Sequence, residues 1–169
     1  MELKTRAEYL VDWITQRNYK RIAEIGVSAG CTSQYILEHC KLDYYLLVDF
    51  DPQGSFEYDR VKRFPEAKFV RIKSKEAIVL VSDGSLDLVF IDAEHTYKST
   101  KEDILLWFPK VKKGGILCGH DYDEIIYPEV IKAVDESIPD KQLLLENTLY
   151  KKDFFSEAKM SSNIWWKEV

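Results

Sequence analysis

Residues 22–32 read Ile-Ala-Glu-Ile-Gly-Val-Ser-Ala-Gly-Cys-Thr. An apolar run carrying Glu24 turns through Gly26 and Gly30 and opens into a helix-like segment, Gln34 to Cys40. Glycine at a strand-to-helix turn allows positive φ and lets a ligand come close to the main chain. The first N–H groups of the helix have no intrahelical partner and face that ligand. The turn, with Val27 and Ser28 between its glycines, is therefore the first candidate binding element. A pyrophosphate-binding turn wants glycines two and five positions after the first. Ser28 and Cys31 stand there, so a dinucleotide fits worse. Asp49 ends the next strand-like run, 23 residues after Gly26. An ionised Asp is acceptor-only, which suits both hydroxyls of a ribose; the plainer alternative is a solvated or helix-capping acid.

Outward from this stretch, strand-like and helix-like segments alternate to the end of the chain. Thr5-x-x-Glu8 is a capping box ahead of a helix with apolar face Tyr9, Leu10, Trp13 and Ile14. Strands are predicted over about 21–25, 44–48, 68–72, 86–91, 116–118, 142–145 and 163–167. Helices are predicted over about 33–40, from Asp51-Pro52 to Arg63, over 75–81, after a Ser99-x-x-Glu102 cap up to Pro109, and from Pro128 through Val130, Ile131 and Val134. The run Leu86–Ile91 is apolar enough to be buried on both faces, and Gly114-Gly115 marks a turn before the fifth strand. Tyr150–Ser162 is the least regular segment and reads as a surface loop. Such β-α alternation implies one α/β domain over 1–169: a doubly wound, Rossmann-like parallel sheet with ligands at the C-terminal strand ends.

Composition narrows the classes. A length of 169 residues supports one core, and 46% hydrophobic with 31% charged residues is ordinary for a globular protein. The net charge of −5 disfavours a polyanion such as nucleic acid as partner. No apolar run approaches a membrane span, and the N-terminus lacks the apolar core of a signal peptide, so a cytoplasmic location is expected. Cys31, Cys40 and Cys118 lack CxxC spacing and read as free thiols in or near the core.

Glu24-x-Gly26-x-x-x-Gly30 followed by Asp49 resembles the first two motifs of class I S-adenosylmethionine-dependent methyltransferases. Phe90-Ile91-Asp92-Ala93-Glu94-His95-Thr96-Tyr97, then Asp103, then Gly114-Gly115-Ile116-Leu117-Cys118-Gly119-His120-Asp121, resemble a branch that includes macrocin-type sugar and small-molecule O-methyltransferases. The resemblance covers nearly the whole chain. It implies a seven-stranded, mostly parallel sheet of order 3-2-1-4-5-7-6 with an antiparallel last strand. Glu24, Gly26, Val27, Ser28, Gly30 and Asp92 would contact S-adenosylmethionine, Asp49 its ribose, Ser74 the adenine edge, and Phe50 the ring. The chain departs from the pattern at Ser28, where many members have a second glycine, and at Lys73-Ser74, where an acid is usual after strand three.

Asp92 and Asp121 each follow a buried apolar strand, and a doubly wound sheet places those strand ends side by side. Two carboxylates so placed repel unless a proton or a divalent cation compensates. Resembling sugar and catechol methyltransferases hold Mg²⁺ with acids at these two strand ends. Here the second end is His120-Asp121, and an imidazole there suits Mn²⁺, Fe²⁺ or Zn²⁺ better. The alternative is that Asp92 contacts cofactor while His120 and Asp121 bond to each other. His95 stands where related enzymes carry a general base, in an Asp-x-x-His arrangement, so His95 and Asp92 are the expected catalytic pair. His39 is expected only to end a helix. The expected activity is O-methylation of a sugar or other small polar acceptor, with a divalent cation such as Mg²⁺ or Mn²⁺ as a candidate helper. The alternatives are a metal-independent N- or carboxylate methyltransferase and a cofactor-binding module without turnover. Few residues remain for a substrate lid, so a second copy or partner subunit is a candidate contributor.

Overall fold

The computed structural model describes residues 4–50, 58–145 and 163–169. Its strands are β1 (Arg21–Ile25), β2 (Tyr44–Val48), β3 (Ala67–Val70), β4 (Leu86–Ile91), β5 (Val111–Tyr122), β6 (Gln142–Leu145) and β7 (Asn163–Glu168). The helices are α1 (Arg6–Gln16), α2 (Cys31–His39), α3 (Tyr58–Val61), α4 (Ser74–Ala77), α5 (Tyr97–Trp107) and α6 (Pro128–Ser137). The strands form a single sheet in the order β3-β2-β1-β4-β5-β7-β6. β1 to β5 pair in parallel, and β7 runs antiparallel to both its neighbours. This is the doubly wound fold expected from the β-α alternation.

Alternate side chains of the central strands feed two cores, one on each face of the sheet. Ile22, Tyr45, Leu47, Leu88 and Phe90 pack with Leu10 and Ile14 of α1 and Ile36 of α2. Ala23, Leu46, Val48, Val89 and Ile91 pack on the other face with Ile104 and Trp107 of α5 and Val130 and Val134 of α6. Every residue of β4 is buried, including Asp87, whose carboxylate accepts from the Lys20 and Arg21 amides. Each apolar side chain so buried contributes about 1.5–3 kcal/mol. α1 begins as expected: Thr5 accepts from the Glu8 amide while the Glu8 side chain accepts from the Thr5 amide.

Three expectations are corrected. α5 starts at Tyr97 instead of after Ser99, because Thr96 is extended and its hydroxyl accepts from the Ser99 amide (3.3 Å). β5 is a strand of 12 residues that contains Gly114-Gly115. Gly114 adopts φ +78°, and between Leu86 and Leu88 the β5 partner advances from Val111 to Ile116, so the glycines are absorbed in a bulge. Pairing with β7 then carries β5 on to Tyr122, which places His120 and Asp121 within the strand. Cys31 is exposed at the start of α2, whereas Cys40 and Cys118 are buried as expected. Of the turn and helix expected from Asp51-Pro52 to Arg63, residues 51–57 lie outside the described residues and α3 covers Tyr58–Val61; the loop expected at 150–162 also lies outside them.

Candidate active site

A cleft of about 1270 Å³ opens at the C-terminal ends of β1, β2, β4 and β5, where a doubly wound sheet binds ligands. Its floor is the turn after β1. Gly26 (φ +89°), Ser28 (φ +49°) and Gly30 (φ +76°) all adopt left-handed backbone. Ser28 thus holds a conformation that favours glycine, which gives its departure from the family pattern a physical cost of about 1–2 kcal/mol. Gly26 is required for a second reason. A Cβ there would lie 1.9 Å from the Asp92 carbonyl oxygen and 2.7 Å from the Ala93 Cα. The glycine therefore lets the loops after β1 and β4 touch, backbone on backbone. Hydrogen bonds from the Asp92 amide to the Ile25 carbonyl (2.7 Å) and from the Gly26 amide to the Val48 carbonyl (2.9 Å) fix this arrangement.

Asp49 plays a structural part that its spacing did not disclose. Its Oδ2 accepts from the amides of Val27 and Ser28, each at 2.8 Å, and so pins the turn. The Val27 side chain is buried in the core, so only its main chain faces the turn. Gly30 is the N-cap of α2, and no side chain caps that helix. Its first residues, Cys31 and Thr32, line the cleft, which leaves helix-start N–H groups beside any ligand. Glu24 lies beneath, 2% exposed, accepting from Ser33 Oγ (2.6 Å) and the Tyr45 hydroxyl. Burial raises its pKa to about 7, against those two hydrogen bonds.

Phe50 and Ser74 line the opposite end of the cleft. Phe50 is exposed, with Lys73 Nζ 5.2 Å from its ring centroid. The Ser74 hydroxyl accepts from Trp107 Nε1 (2.8 Å), and the Asp103 carboxyl is 6% exposed. Burial pushes the Asp103 pKa up to about 6, and the Ser74 hydroxyl opposes the rise.

At the β4/β5 edge the expected acids do come together. His95 Nε2 lies 2.6 Å from Asp121 Oδ2 and 3.9 Å from Asp92 Oδ1, and His120 Nδ1 lies 3.0 Å from Asp121 Oδ1. Asp121 adopts φ +58°, an uncommon conformation for an aspartate in a strand. Burial alone would raise its pKa, but the hydrogen bonds from His120 and His95 outweigh that and hold the carboxyl well below the usual carboxylate range. The hydrogen bond to Asp121, and then the nearby Asp92 carboxylate, raise the His95 pKa to about 9, so the imidazole of this arrangement is cationic at neutral pH. The His95 ring also stacks on Tyr127, centroids 4.3 Å apart.

The set of possible ligands that the structure brings together differs in one member from the expected Asp92, His120 and Asp121. Among the described residues, Asp92, His95 and Asp121 bring ligand atoms within 4.8 Å of one another. His120 is instead buried, bonded to Asp121, with Arg6 Nη1 3.4 Å from the same ring nitrogen. Two carboxylates and one imidazole fit a divalent ion of the Mn²⁺, Fe²⁺ or Zn²⁺ kind in donor type and spacing. Such an ion would have to displace the proton on His95 Nε2 and compete with the ion pair between Arg6 and Asp92.

Sequence reasoning missed Arg6, Tyr127 and Asp103 as cleft residues. Arg6 sits in the first turn of α1, 86 positions from its partner Asp92, and no local spacing connects them. Tyr127 precedes Pro128 at a helix start, which gave no reason to expect a ring beneath His95.

The geometry is that of a cleft floored by a glycine turn beside a cluster of two carboxylates and two imidazoles. A methyltransferase-domain profile matches residues 23–122, well over half of the chain. The chain belongs to this methyltransferase family. A match of 33% identity over 76 residues links it to an uncharacterized protein of Acanthamoeba polyphaga mimivirus, covering 43% of this chain and 34% of the viral one. The similarity thus spans about a third of the length of that relative. A proposed O-methyltransferase from Klebsiella pneumoniae superposes with a TM-score of 0.71 at 16% identity, over 97% of this chain and 80% of that one. The N-methyltransferase NodS from Bradyrhizobium japonicum, in complex with S-adenosyl-L-homocysteine, superposes with a TM-score of 0.69 at 13% identity, over 95% and 84%. At such identities the superpositions show the fold alone, that of the S-adenosylmethionine-dependent methyltransferases. Among the described residues, no helix is long and apolar enough to cross a membrane.

Proposed function

We propose that the family member described here is an S-adenosylmethionine-dependent O-methyltransferase acting on a hydroxyl of a small polar acceptor such as a sugar. The supporting observation is one cleft that joins a pinned glycine turn to the His95–Asp121 pair. The sulfonium is an activated methyl donor, so the protein must align an in-line attack and make a weak nucleophile more anionic. The acceptor oxygen bonds to the methyl carbon, the sulfur–carbon bond breaks, and the hydroxyl proton passes to His95. A sulfonium beside His95 adds a like charge and lowers its proton affinity from the raised value of the empty cleft. Asp121 and Tyr127 hold the ring, and Arg6 neutralises Asp92.

The donor cluster favours a second reading, in which Asp92, His95 and Asp121 hold a divalent cation. That cation would polarise the acceptor oxygen and lower its pKa. Mass-spectrometric detection of methyl transfer onto a panel of sugars, catechols, amines and carboxylates tests the proposal. The expected result is hydroxyl methylation that rises with pH from about 7 to 9, insensitive to chelator. Chelator-sensitive turnover selects the second reading. His95→Gln should lower turnover by about 10²–10⁴-fold while S-adenosylhomocysteine affinity changes little. Parental turnover in that variant across pH 6–9 would remove His95 from the mechanism.

A further inference from the structure

His95 sits on a loop that is closed onto the helix following it. The Glu94 carbonyl accepts from the Thr100 hydroxyl (3.2 Å), and the Glu94 carboxylate accepts from the Ser99 hydroxyl (2.8 Å). Residues 94–100 are thereby one unit, and a shift of the first turn of α5 is passed on to the imidazole. Apolar packing does not hold that turn in place. The buried residues of α5 are Thr100, Asp103, Ile104 and Trp107, all beyond Ser99. The start of α5 relies instead on polar contacts from α6.

Tyr97, two residues after His95, is tied to α6 at both ends. Its amide donates to Glu129 Oε2 (2.7 Å) and its hydroxyl to Glu136 Oε2 (2.5 Å). The His95 ring itself stacks on Tyr127, the N-cap of α6, and Glu129 lies two residues further on, in the first turn of the same helix. One helix start therefore grips the loop on both sides of Thr96, by a ring and by a carboxylate. Tyr97 is the first residue of α5, so its amide has no intrahelical acceptor, and a carboxylate at that end is favoured by the helix dipole. Water could satisfy the same amide, so what Glu129 adds is position. We propose that Glu129 is a positioning residue for His95, holding the imidazole over Tyr127 and beside Asp121 through the Tyr97 amide. For its effect on turnover the inference rests on the methyltransferase reading given above.

Two readouts on the full chain test it: the nuclear Overhauser contact between the His95 and Tyr127 rings, and steady-state kinetics of methyl transfer. Wild type should show the ring contact. Glu129→Ala, checked for folding by its melting transition, should lose the contact and lower kcat by roughly 10–100-fold, the loss expected of a displaced catalytic group. Its affinity for S-adenosylhomocysteine should stay near the wild-type value, because the glycine turn is untouched. Glu129→Gln keeps an acceptor oxygen for the Tyr97 amide and should restore both the contact and most of kcat. A folded Glu129→Ala that keeps the ring contact and the wild-type kcat overturns the inference, as does a Glu129→Gln no better than Glu129→Ala. If wild type transfers no methyl group to any acceptor, the methyltransferase reading falls, and the ring contact in the two variants still decides whether Glu129 positions His95.

Discussion

Gly26→Ala is the perturbation whose size the structure fixes best. Gly26 has φ +89°, and an added Cβ would sit 1.9 Å from the Asp92 carbonyl oxygen and 2.5 Å from its carbon. Positive φ alone costs a side-chain-bearing residue about 1–2 kcal/mol. Both overlapping partners are backbone, held by the Asp92–Ile25 and Gly26–Val48 hydrogen bonds, so relief requires the two loops to separate. Overpacking of this kind adds about 1–3 kcal/mol. The sum is about 2–5 kcal/mol, a fall in Tm of roughly 5–20 °C at 2–4 °C per kcal/mol for a chain of this size. Gly84→Ala is the matched control: φ is +63°, yet nothing lies within 4 Å of the added Cβ. Only the backbone term applies there, about 1–2 kcal/mol. Thermal and urea melts of the two variants separate the contributions, and S-adenosylhomocysteine calorimetry reports the cleft. Gly26→Ala should lose most of its ligand affinity, and Gly84→Ala should keep it. Equal melting temperatures for the two, or unaltered ligand binding in Gly26→Ala, would refute the close-approach argument.

Glu24→Gln tests the buried acid by linkage. The folded pKa is raised to about 7, so the stability tied to its proton is fully present below about 4.5 and lost as pH rises through about 7. A rise of that size amounts to about 3 kcal/mol, and urea titrations at pH 4.5 and 8 should show Glu24→Gln gaining that much relative to wild type at the higher pH. A pH-independent difference would mean that the carboxyl is not desolvated. Arg6→Leu removes the guanidinium paired with Asp92 and should tighten Mn²⁺ binding, read by spin resonance, by about tenfold or more. Unchanged Mn²⁺ affinity would show that Arg6 and a cation do not compete for these acids.

The fold was legible because its signals are local and repeat. The largely apolar run Leu86–Ile91 pointed to a strand buried on both faces, and the capping box at Thr5 and Glu8 marked the start of α1 correctly. The end of β5 was not legible. Gly114-Gly115 carries turn chemistry, and only the pairing of β5 with both β4 and β7 shows that it is a bulge inside a longer strand. Asp49 illustrates a different limit. Its spacing from the glycines pointed to a carboxylate beside the turn, where it lines the cleft, but spacing does not say that two amides of the turn would take one of its oxygens. Arg6 and Asp103 were hidden because their roles depend on partners far along the chain or on burial.

The repulsion expected between Asp92 and Asp121 is resolved here by the chain's own cations. Register sets the problem: Ile91 pairs with Gly119, so Asp92 and His120-Asp121 emerge together from neighbouring parallel strands. Compensation then comes from two directions. Arg6 reaches Asp92 from α1, while His95 reaches Asp121 from the loop that β4 itself feeds. With His95 protonated, two carboxylates face two cations, and the edge is neutral without an ion. The arrangement changes when a sulfonium is added, because three positive charges would then face two negative ones. The proton on His95 is the most readily released of these charges, since the guanidinium does not titrate in this range. In the proposed reaction, cofactor binding would drive His95 toward the neutral form that can accept the acceptor's proton, and the same two carboxylates that raise its pKa in the empty cleft would keep the ring placed to do so.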